Sequence, residues 1–327
     1  MNHGAFVISL DFELAWGVRD SVNPGSYDHH LRGVHEVLPR LLDLFSRYEV
    51  HSTFAVVGFL FFHDKKELQQ HLPSHPPSYL RAHLSPYTSY IPQLDDEPYS
   101  RDLHFAPGMI DRLAKTRGVE IATHTYSHYY CLEAGQTPEQ FSEDLERAIR
   151  IAGNRNIAIS SLVFPRNQFN KSYLDICAAK GITCYRGNES SWLHPGDHSD
   201  NGSYFRRFAR LIDSYINFTG HHVTPLASIE SAPIVNLPAS RFLRPHSPWL
   251  SALDPLKLKR IKSSMSFAAQ TNSLFHLWWH PHNFGIHQEN NLLFLEKILQ
   301  HYKELERTKG FKSMNMLELA ETIRQHD

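Results

Sequence analysis

The chain has 327 residues, of which 41% are hydrophobic, and a formal net charge of -1. This length suits one α/β barrel, and the balanced charge excludes a positive field that would attract nucleic acid or acidic lipid. No run reaches the ~18 apolar residues needed to cross a bilayer. The apolar run from Ala5 to Leu10 is too short for a signal-peptide core. We therefore expect one domain over residues 1–327, without a transmembrane segment, in the cytoplasm. Oligomeric state stays open.

Cysteine and histidine usage narrows the possible metal chemistry. Cys131, Cys177 and Cys184 are too few and too widely spaced for a disulfide framework or a cysteine-based zinc site. We expect them to be small buried residues in a reducing compartment. The 23 histidines are many for this length. A histidine pair at a suggestive spacing therefore needs support from its structural context.

Short apolar runs alternate along the chain with stretches of helical periodicity. Strands are predicted over residues 6–10, 53–57, 119–122, 160–164, 182–185 and 274–279. Helices are predicted over residues 33–48, 107–116, 138–152, 171–180, 291–307 and 316–323. Thr137 and Gln140 have the residue types of a capping box, with Pro138 at the first helical position. The alternation predicts an α/β fold with parallel strands and helical crossovers.

Two long stretches interrupt this alternation. Residues 72–106 are rich in proline, histidine and tyrosine, and residues 186–253 are rich in glycine, proline, serine and asparagine. Long irregular insertions in a compact domain are usually functional loops. We expect both to form walls of a substrate cleft rather than separate domains, and structural decoration or an oligomer contact is the alternative.

Two carboxylates, Asp11 and Glu13, directly follow the first predicted strand. Enzymes with parallel α/β barrels place their chemistry at the carboxyl ends of the strands. Neighbouring carboxylates repel each other unless a cation lies between them or one keeps its proton. Asp11 and Glu13 are therefore candidates for a metal ligand and a general base, with two solvated surface acids as the alternative.

A histidine pair, His124 and His128, follows the strand predicted over residues 119–122. Histidines at i and i+4 on a helical turn lie on one face and can bind one divalent metal. The same spacing occurs in three other pairs, of which two contain proline and the third lies in a predicted strand: His71/His75, His194/His198 and His276/His280. The position after a strand and before a predicted helical turn thus singles out His124 and His128.

Two further strand ends carry candidate side chains. Arg166 follows a predicted strand in the run Phe164 to Asn167, where an arginine could hold a carboxylate and lower its pKa. A surface arginine in a turn is the alternative. His280 ends the strand predicted over residues 274–279, and Pro281 stops its continuation. A histidine there can act as a general acid.

The tryptophan pair before His280 suggests a sugar site, although one of the two rings is expected in the core because neighbours on a strand face opposite ways. We expect the substrate contacts to come from Trp279, His282 and Asn167.

Taken in order, these segments resemble the polysaccharide deacetylase family, also called the NodB-homology or carbohydrate esterase 4 family. Five segments between residue 5 and about residue 285 carry the resemblance: 9–13, 52–58, 124–128, 164–167 and 277–280. The His-Thr-x-x-His run at 124–128 matches the family's metal motif and is the most specific of them. The Trp-Trp-His-Pro-His variant resembles the branch found among surface-polysaccharide and O-antigen biosynthesis proteins.

The resemblance implies a distorted (β/α)7 barrel, a divalent metal of the zinc type and a saccharide substrate that is nucleotide-linked, lipid-linked or polymeric. It implies that His124 and His128 bind the metal, that Asp11 is the general base and that His280 is the general acid. Arg166 would hold the base in place.

The sequence departs from the family pattern at two motifs. The first motif usually has two adjacent aspartates, but Phe12 takes the second position here and Glu13 follows. We expect the longer Glu13 side chain to reach the metal, and an exchange of roles with Asp11 stays open. The arginine motif has proline before rather than after Arg166.

Three functions are compatible with this sequence. The first is removal of an N-acyl group from an amino sugar. The second is a non-catalytic sugar-binding protein on the same fold, which the altered first motif would explain. The third is hydrolysis of amide bonds in cyclic ureides or imides, as in some relatives.

Overall fold

The computed structural model describes residues 3–23, 25–88, 90–95, 99–189 and 204–326. The predicted pair His194/His198 lies outside these ranges. Ten strands are assigned: β1 Ala5–Phe12, β2 Ser52–Val56, β3 Val119–Thr123, β4 Ser161–Val163, β5 Cys184–Arg186, β6 Thr224–Pro225, β7 Val235–Asn236, β8 Arg241–Phe242, β9 Ser273–Trp279 and β10 Lys312–Met314.

The strands form one mixed sheet that curls around a common interior. Its order is β6-β9-β1-β2-β3-β4-β5-β7, with β8 on β9 and β10 on β1. The chain between β7 and β8 joins the two ends, because Leu237 N donates to Tyr185 O at 2.9 Å and Ser240 N donates to His276 O at 2.8 Å. With β7 and β8 taken as one bent segment, seven parallel segments surround the interior. The predicted distorted (β/α)7 barrel is confirmed.

Helices connect the strands and cover the outside of the sheet. They are α1 Asp28–Arg32, α2 Val34–Arg47, α3 Lys65–Gln69, α4 Pro107–Lys115, α5 Pro138–Gly153, α6 Leu174–Ala179, α7 Tyr204–Asp213, α8 Asp254–Gln270, α9 Gln288–Lys309 and α10 Met316–Gln325. Helix α5 begins with the predicted capping box between Thr137 and Gln140. None of the described helices is both long and apolar enough to cross a membrane.

Alternation along β1 explains how the barrel positions polar groups. Phe6, Ile8 and Leu10 face outward and join the large core under the helices. Ala5 and Val7 face inward and pack in the smaller core inside the barrel. Successive strand residues point to opposite faces, so the inward series continues through Ser9 to Asp11. Small apolar residues therefore close the bottom of the barrel, and polar ones occupy its upper end.

The predicted elements recur with shifts of a few residues at their ends, but α8 was missed. Its buried face mixes Lys257, Arg260 and Ser264 with Ile261, Met265 and Ala268, so polar and charged residues interrupt the apolar spacing that predicts a helix. The stretch 186–253, predicted as an insertion, is one only in part, because β7 and β8 within it complete the barrel.

The other long stretch, residues 72–106, packs against the turn that follows β1. The indole N–H of Trp16 donates to the carbonyl of His104 at 2.7 Å. The rings of Trp16, Tyr90 and His104 meet with centroids 5.3 to 5.7 Å apart. This stretch thus supports the turn over residues 14–17, next to Glu13. The three cysteines are free and buried, as predicted.

Candidate metal and catalytic site

Glu13 lies immediately beyond β1, at the start of a 3-10 turn over Leu14–Gly17. It is only 4% exposed. A Cβ atom at Gly17 would stand 1.9 Å from the Glu13 Cδ atom. Glycine is therefore required at Gly17 for the carboxylate to fold back over its own turn. The sequence places the carboxylate at the strand end, and this close approach fixes its direction.

His124 and His128 belong to a loop, so the predicted helical turn is wrong. Thr125 and His128 adopt left-handed backbone conformations, with φ of 63° and 59°. The Asp144 carboxylate on α5 accepts hydrogen bonds from the backbone N–H groups of Tyr126 and Ser127, at 2.7 and 3.2 Å. A buried carboxylate therefore replaces the hydrogen bonds that a helix would have provided.

The two histidines and Glu13 present three ligand atoms to a common point. The His124 and His128 Nε2 atoms lie 3.3 and 3.1 Å from Glu13 Oε2. Within the described chain, these three residues form a group whose ligand atoms lie within 4.8 Å of one another. The Nδ1 atom of His124 faces the carbonyl oxygen of Val163 at 2.8 Å. That hydrogen bond places the proton on Nδ1 and leaves Nε2 free.

The chemistry of this group fits a zinc-type ion. The Nε2 atom of His124 is buried and has no hydrogen-bond partner among the residues that the structure describes. Burial lowers the pKa of His128 to about 4, so its imidazole is neutral, as a metal ligand must be. Burial opposes ionisation of Glu13, but the imidazoles of His280, His124 and His128 hold its pKa well below the usual range. Two imidazoles and one carboxylate leave open positions, as catalytic zinc sites do.

A second layer of hydrogen bonds orients His128. Its Nδ1 atom lies 3.2 Å from the Tyr130 hydroxyl oxygen. That hydroxyl donates to Asp20 Oδ2 at 2.9 Å, and Arg166 Nη2 donates to the same oxygen at 2.6 Å. The Arg166 guanidinium also lies over the Tyr130 ring, 4.3 Å from its centroid. Arg166 therefore supports the histidine side of the site through Asp20 and Tyr130.

The arginine that holds Asp11 is Arg186 at the end of β5, so the prediction that Arg166 contacts Asp11 is wrong. Arg186 Nη1 and Nη2 donate to the two Asp11 oxygens at 2.7 and 2.8 Å, and both side chains are buried. Burial alone would raise the pKa of Asp11, but Arg186 reverses this and lowers it. Asp11 therefore stays ionised at neutral pH.

The sequence position of Arg186 could have indicated that it belongs to the site. It directly follows the strand predicted over residues 182–185, and Arg166 follows the strand predicted over residues 160–164 with Pro165 between them. Inside the barrel it also contacts Ser9 Oγ at 3.1 Å and Asn167 Oδ1 at 3.0 Å. Ser9 Oγ lies 2.8 Å from Nε2 of the buried His276. Asp11 is thus anchored from below by a connected polar network.

His280 faces the two carboxylates from β9. Its Nε2 atom lies 3.7 Å from Asp11 Oδ2 and 3.5 Å from Glu13 Oε1. Its Nδ1 atom is 3.3 Å from Asn283 Oδ1, and its side chain is 23% exposed. The geometry leaves Nε2 directed into the cleft, where a reacting group could contact it.

The predicted substrate contacts are placed differently. Trp279 is fully buried on the outer face of β9, where it packs against Phe45 and Phe284, so its assignment to the substrate was wrong. Trp278 faces the cleft instead: it is half-buried, and the Arg186 guanidinium lies 4.2 Å from its ring centroid. Because side chains alternate along a strand, one of the two rings must face the cleft and the other the core. The sequence alone does not determine which of the two faces the cleft.

His282 and Asn167 lie next to catalytic candidates. His282 is 4% exposed and stacks on the His280 ring, with centroids 4.9 Å apart, so it lies behind the proposed acid rather than in the open cleft. Asn167 is half-buried and its amide oxygen accepts from Arg186. A substrate contact of Asn167 stays a prediction.

We expect Tyr130→Phe to weaken metal binding by about 10- to 100-fold, because it removes the hydrogen bond that orients His128. Equilibrium dialysis of zinc against a competing chelator measures the effect. The control is Tyr302→Phe, since the Tyr302 hydroxyl donates to Glu306, outside this site. Equal zinc affinity of the Tyr130→Phe variant and the wild type would show that the hydroxyl does not support the metal site.

Comparison with known proteins agrees with this fold. Residues 26–185 match the sequence model of the family described as polysaccharide deacetylase. A Mycobacterium smegmatis protein assigned to the polysaccharide deacetylases has a similar structure, with a TM-score of 0.61 and 15% identity, over 99% of this chain and 91% of that one. A Pseudomonas aeruginosa PAO1 protein with the same assignment gives a TM-score of 0.56 and 13% identity, over 98% and 91%.

A third similar structure is that of Puue allantoinase, with a TM-score of 0.54 and 12% identity, over 97% of this chain and 89% of that one. Among curated proteins, no sequence matches this chain. Fold and site together define a protein of the NodB type, with a histidine-rich group at the carboxyl ends of barrel strands. Residues 26–185, just under half of the chain, are identified by this match as a polysaccharide deacetylase domain, and the whole chain shares the fold of the two deacetylase structures.

Proposed function

We propose that this protein is a metal-dependent hydrolase that removes an N-acyl group, most simply acetyl, from an amino sugar of a surface polysaccharide or O-antigen precursor. The observation that carries the proposal is the convergence of Glu13, His124 and His128 beside a separate pair formed by Asp11 and His280. A ligand set and an acid–base pair are the two parts that amide hydrolysis needs.

Glu13, His124 and His128 would hold the metal through Oε2 and the two Nε2 atoms. When bound, a zinc-type ion lowers the pKa of water towards ~7 and stabilises negative charge on the acyl oxygen. Asp11 accepts the proton of the attacking water, because its carboxylate is ionised and Arg186 holds it in one orientation. Arg186 is fully buried, so the carboxylate cannot swing away.

His280 completes the reaction by donating a proton from Nε2 to the departing amine, which would otherwise be too basic to leave. Imidazole suits this step since it exchanges a proton near neutral pH. Asn283 accepts from Nδ1 and keeps the ring in place. Trp278, half-buried beside His280, offers an aromatic face to a sugar ring.

The test is release of a carboxylic acid from N-acetylated amino sugars by zinc-loaded wild type, by the chelated protein and by His124→Ala. We expect acid release and one bound zinc only in the loaded wild type. Acid release that persists without metal would contradict the proposed mechanism. Allantoin serves as a second substrate, because an allantoinase shares this fold. Turnover of allantoin alone would favour a cyclic ureide hydrolase, and sugar binding without any turnover would favour the non-catalytic alternative.

A further inference from the structure

A second cavity, separate from the metal group, lies beside the catalytic cleft. It is bounded by the end of α7, by β8 and by Glu189, which follows β5. The side chains that decide its character are charged or titratable: Glu189, Arg210, Asp213, His222, Arg241 and Arg244. The proposed mechanism uses none of them.

Positive charge exceeds negative charge around this cavity. Arg241 and Arg260 share one carboxylate, with Nη2 atoms 3.2 and 3.4 Å from Asp213 Oδ2. Glu189 accepts from the backbone N–H of Phe242 at 3.1 Å. With Arg210 and Arg244 included, the described residues supply four guanidinium groups and two carboxylates. Two positive charges therefore remain uncompensated among these side chains.

Arg244 shows this imbalance most directly. It is half-buried, and no carboxylate of the described residues lies within ion-pair distance of its guanidinium. Burial lowers the pKa of Arg244, and the nearby Arg210 and Arg241 lower it further, against the attraction of Tyr215 and Glu189. Burial and repulsion from Arg241 likewise bring the pKa of Arg260 down to about 10. A bound anion would stabilise guanidinium groups that are crowded in this way, because it offsets the repulsion between them.

Two buried nitrogen atoms at the cavity have no hydrogen-bond partner among the described residues. They are Nε of Arg241 and Nδ1 of His222, in side chains that are only 7% and 3% exposed. The nearest carboxylate oxygen to His222 Nδ1 is Glu189 Oε2, at 3.8 Å. Unsatisfied buried donors are costly and rare. The Nε–H of Arg241 is such a donor, and its position beside the guanidinium cluster indicates an acceptor-rich ligand.

The ring of Phe242 lies between the cavity and the catalytic cleft. Phe242 lines the cavity and also contacts Trp278 and His280, with ring centroids 4.8 and 6.0 Å apart. Strand β8 pairs with β9 so that Phe242 stands opposite Trp278. A ligand that occupied the cavity would thus lie on the far side of Phe242 from the proposed acid.

We propose that this cavity binds a phosphate group of the substrate, so that the amino sugar presented to His280 is a phosphorylated saccharide. The proposal rests on the proposed deacetylase function, because it assigns the substrate class of that same site. Arginine forks match phosphate oxygens, and a phosphate dianion equals the excess of two positive charges. A phosphate ester and a diphosphate linkage to a nucleotide or a lipid share this chemistry.

The experiment compares N-acetylglucosamine 1-phosphate with N-acetylglucosamine by calorimetry on the full chain, as wild type, Arg244→Gln and Arg307→Gln. We expect the phosphorylated sugar to bind wild type and Arg307→Gln equally and Arg244→Gln at least about tenfold more weakly. The neutral sugar should not distinguish the three. Arg307 is an exposed arginine on α9 and serves as the matched control. Equal affinity for the two sugars, or no effect of Arg244→Gln, would overturn the proposal.

Two further measurements serve as separate controls for folding and for the deacetylase function. Arg244→Gln removes a charge that has no carboxylate partner among the described residues and is repelled by Arg210 and Arg241, so its Tm should equal or exceed that of the wild type, and phosphate should raise the Tm of the wild type more. Absence of acid release together with phosphate-dependent binding would leave the phosphate site standing and refute the deacetylase function. UDP-N-acetylglucosamine and a short-chain polyprenyl diphosphate sugar, added in parallel, distinguish nucleotide from lipid linkage. Stronger binding of either than of the monophosphate supports the site.

Discussion

Asp11→Asn should retain bound zinc but lose about 10²- to 10⁴-fold in kcat, whereas Glu13→Gln should lose the metal. The expectation for Asp11 follows from general base catalysis, whose removal has effects of this size. The expectation for Glu13 follows from its Oε2 atom, which lies between the Nε2 atoms of His124 and His128. Zinc content by mass spectrometry and acid release from an N-acetylated sugar measure both properties on each variant.

The two substitutions decide between the roles that the sequence left open. Loss of zinc in Asp11→Asn with retention in Glu13→Gln would exchange the base and the ligand. Full turnover in Asp11→Asn would exclude Asp11 as the base in either arrangement.

A stability control is needed for the Asp11 variant. Arg186 is fully buried, and removal of the partner of a buried charge destabilises a protein by about 3–5 kcal/mol. Ser9 and Asn167 still accept from Arg186, which reduces this cost. Thermal unfolding should therefore be measured first, and kcat compared well below the lower Tm. The double variant Asp11→Asn, Arg186→Met removes the buried charge and should recover part of the stability without recovering activity.

Acid should destabilise the protein strongly between pH 6.5 and pH 4, because several buried histidines stay neutral in the folded state. Burial lowers the pKa of His104 to about 4, and that of His276 and His282 to about 3. Above pH 6.5 neither the folded nor the unfolded chain protonates these groups. Below pH 6.5 these histidines become protonated in the unfolded chain but stay neutral in the folded chain. The free energy of unfolding therefore falls by about 1.4 kcal/mol for each histidine and each pH unit.

His104→Gln isolates one of these contributions outside the metal site. The His104 ring contacts Ser100 O at 2.9 Å and the Tyr90 hydroxyl at 2.8 Å, and an amide can replace both hydrogen bonds in part. Urea unfolding at pH 5, 6, 7 and 8 should show a slope against pH that is smaller by about one proton in His104→Gln. His29→Gln, an exposed position on α1, is the control and should keep the wild-type slope. Parallel curves for wild type and His104→Gln would mean that His104 has the same pKa in the folded and the unfolded protein.

The effect of acid on His104 also connects residues 72–106 with the candidate metal site. His104 supports Trp16, and Trp16 belongs to the turn that carries Glu13. Protonation of His104 should therefore loosen this turn before the barrel unfolds. Tryptophan fluorescence that changes at a higher pH than the far-UV signal would show this order.

The sequence by itself determined the α/β class, most strand and helix positions and the strand ends that carry polar side chains. These features depend on local periodicity and on capping residues such as Thr137 and Gln140, which act over a few residues. Helix α8 was not predicted because charged and polar residues interrupt its apolar face: Arg260, next to the buried Ile261, pairs with Asp213, a contact between residues 47 positions apart. A buried ion pair of this kind weakens the apolar pattern that predicts a helix.

Only the tertiary structure decided which strand ends meet. Arg166 and Arg186 occupy equivalent positions in the sequence, yet Arg186 lies inside the barrel against Asp11 and Arg166 lies outside it against Asp20. The two tryptophans likewise have the reverse of their expected positions: Trp278 faces the cleft and Trp279 lies in the core. A shift of one residue along a strand moves a side chain to the opposite face. The grouping of Glu13 with His124 and His128 depends on the closure of the sheet and on Asp144, which shapes their loop. Distances across a barrel arise from packing of the whole chain, and no local pattern encodes them.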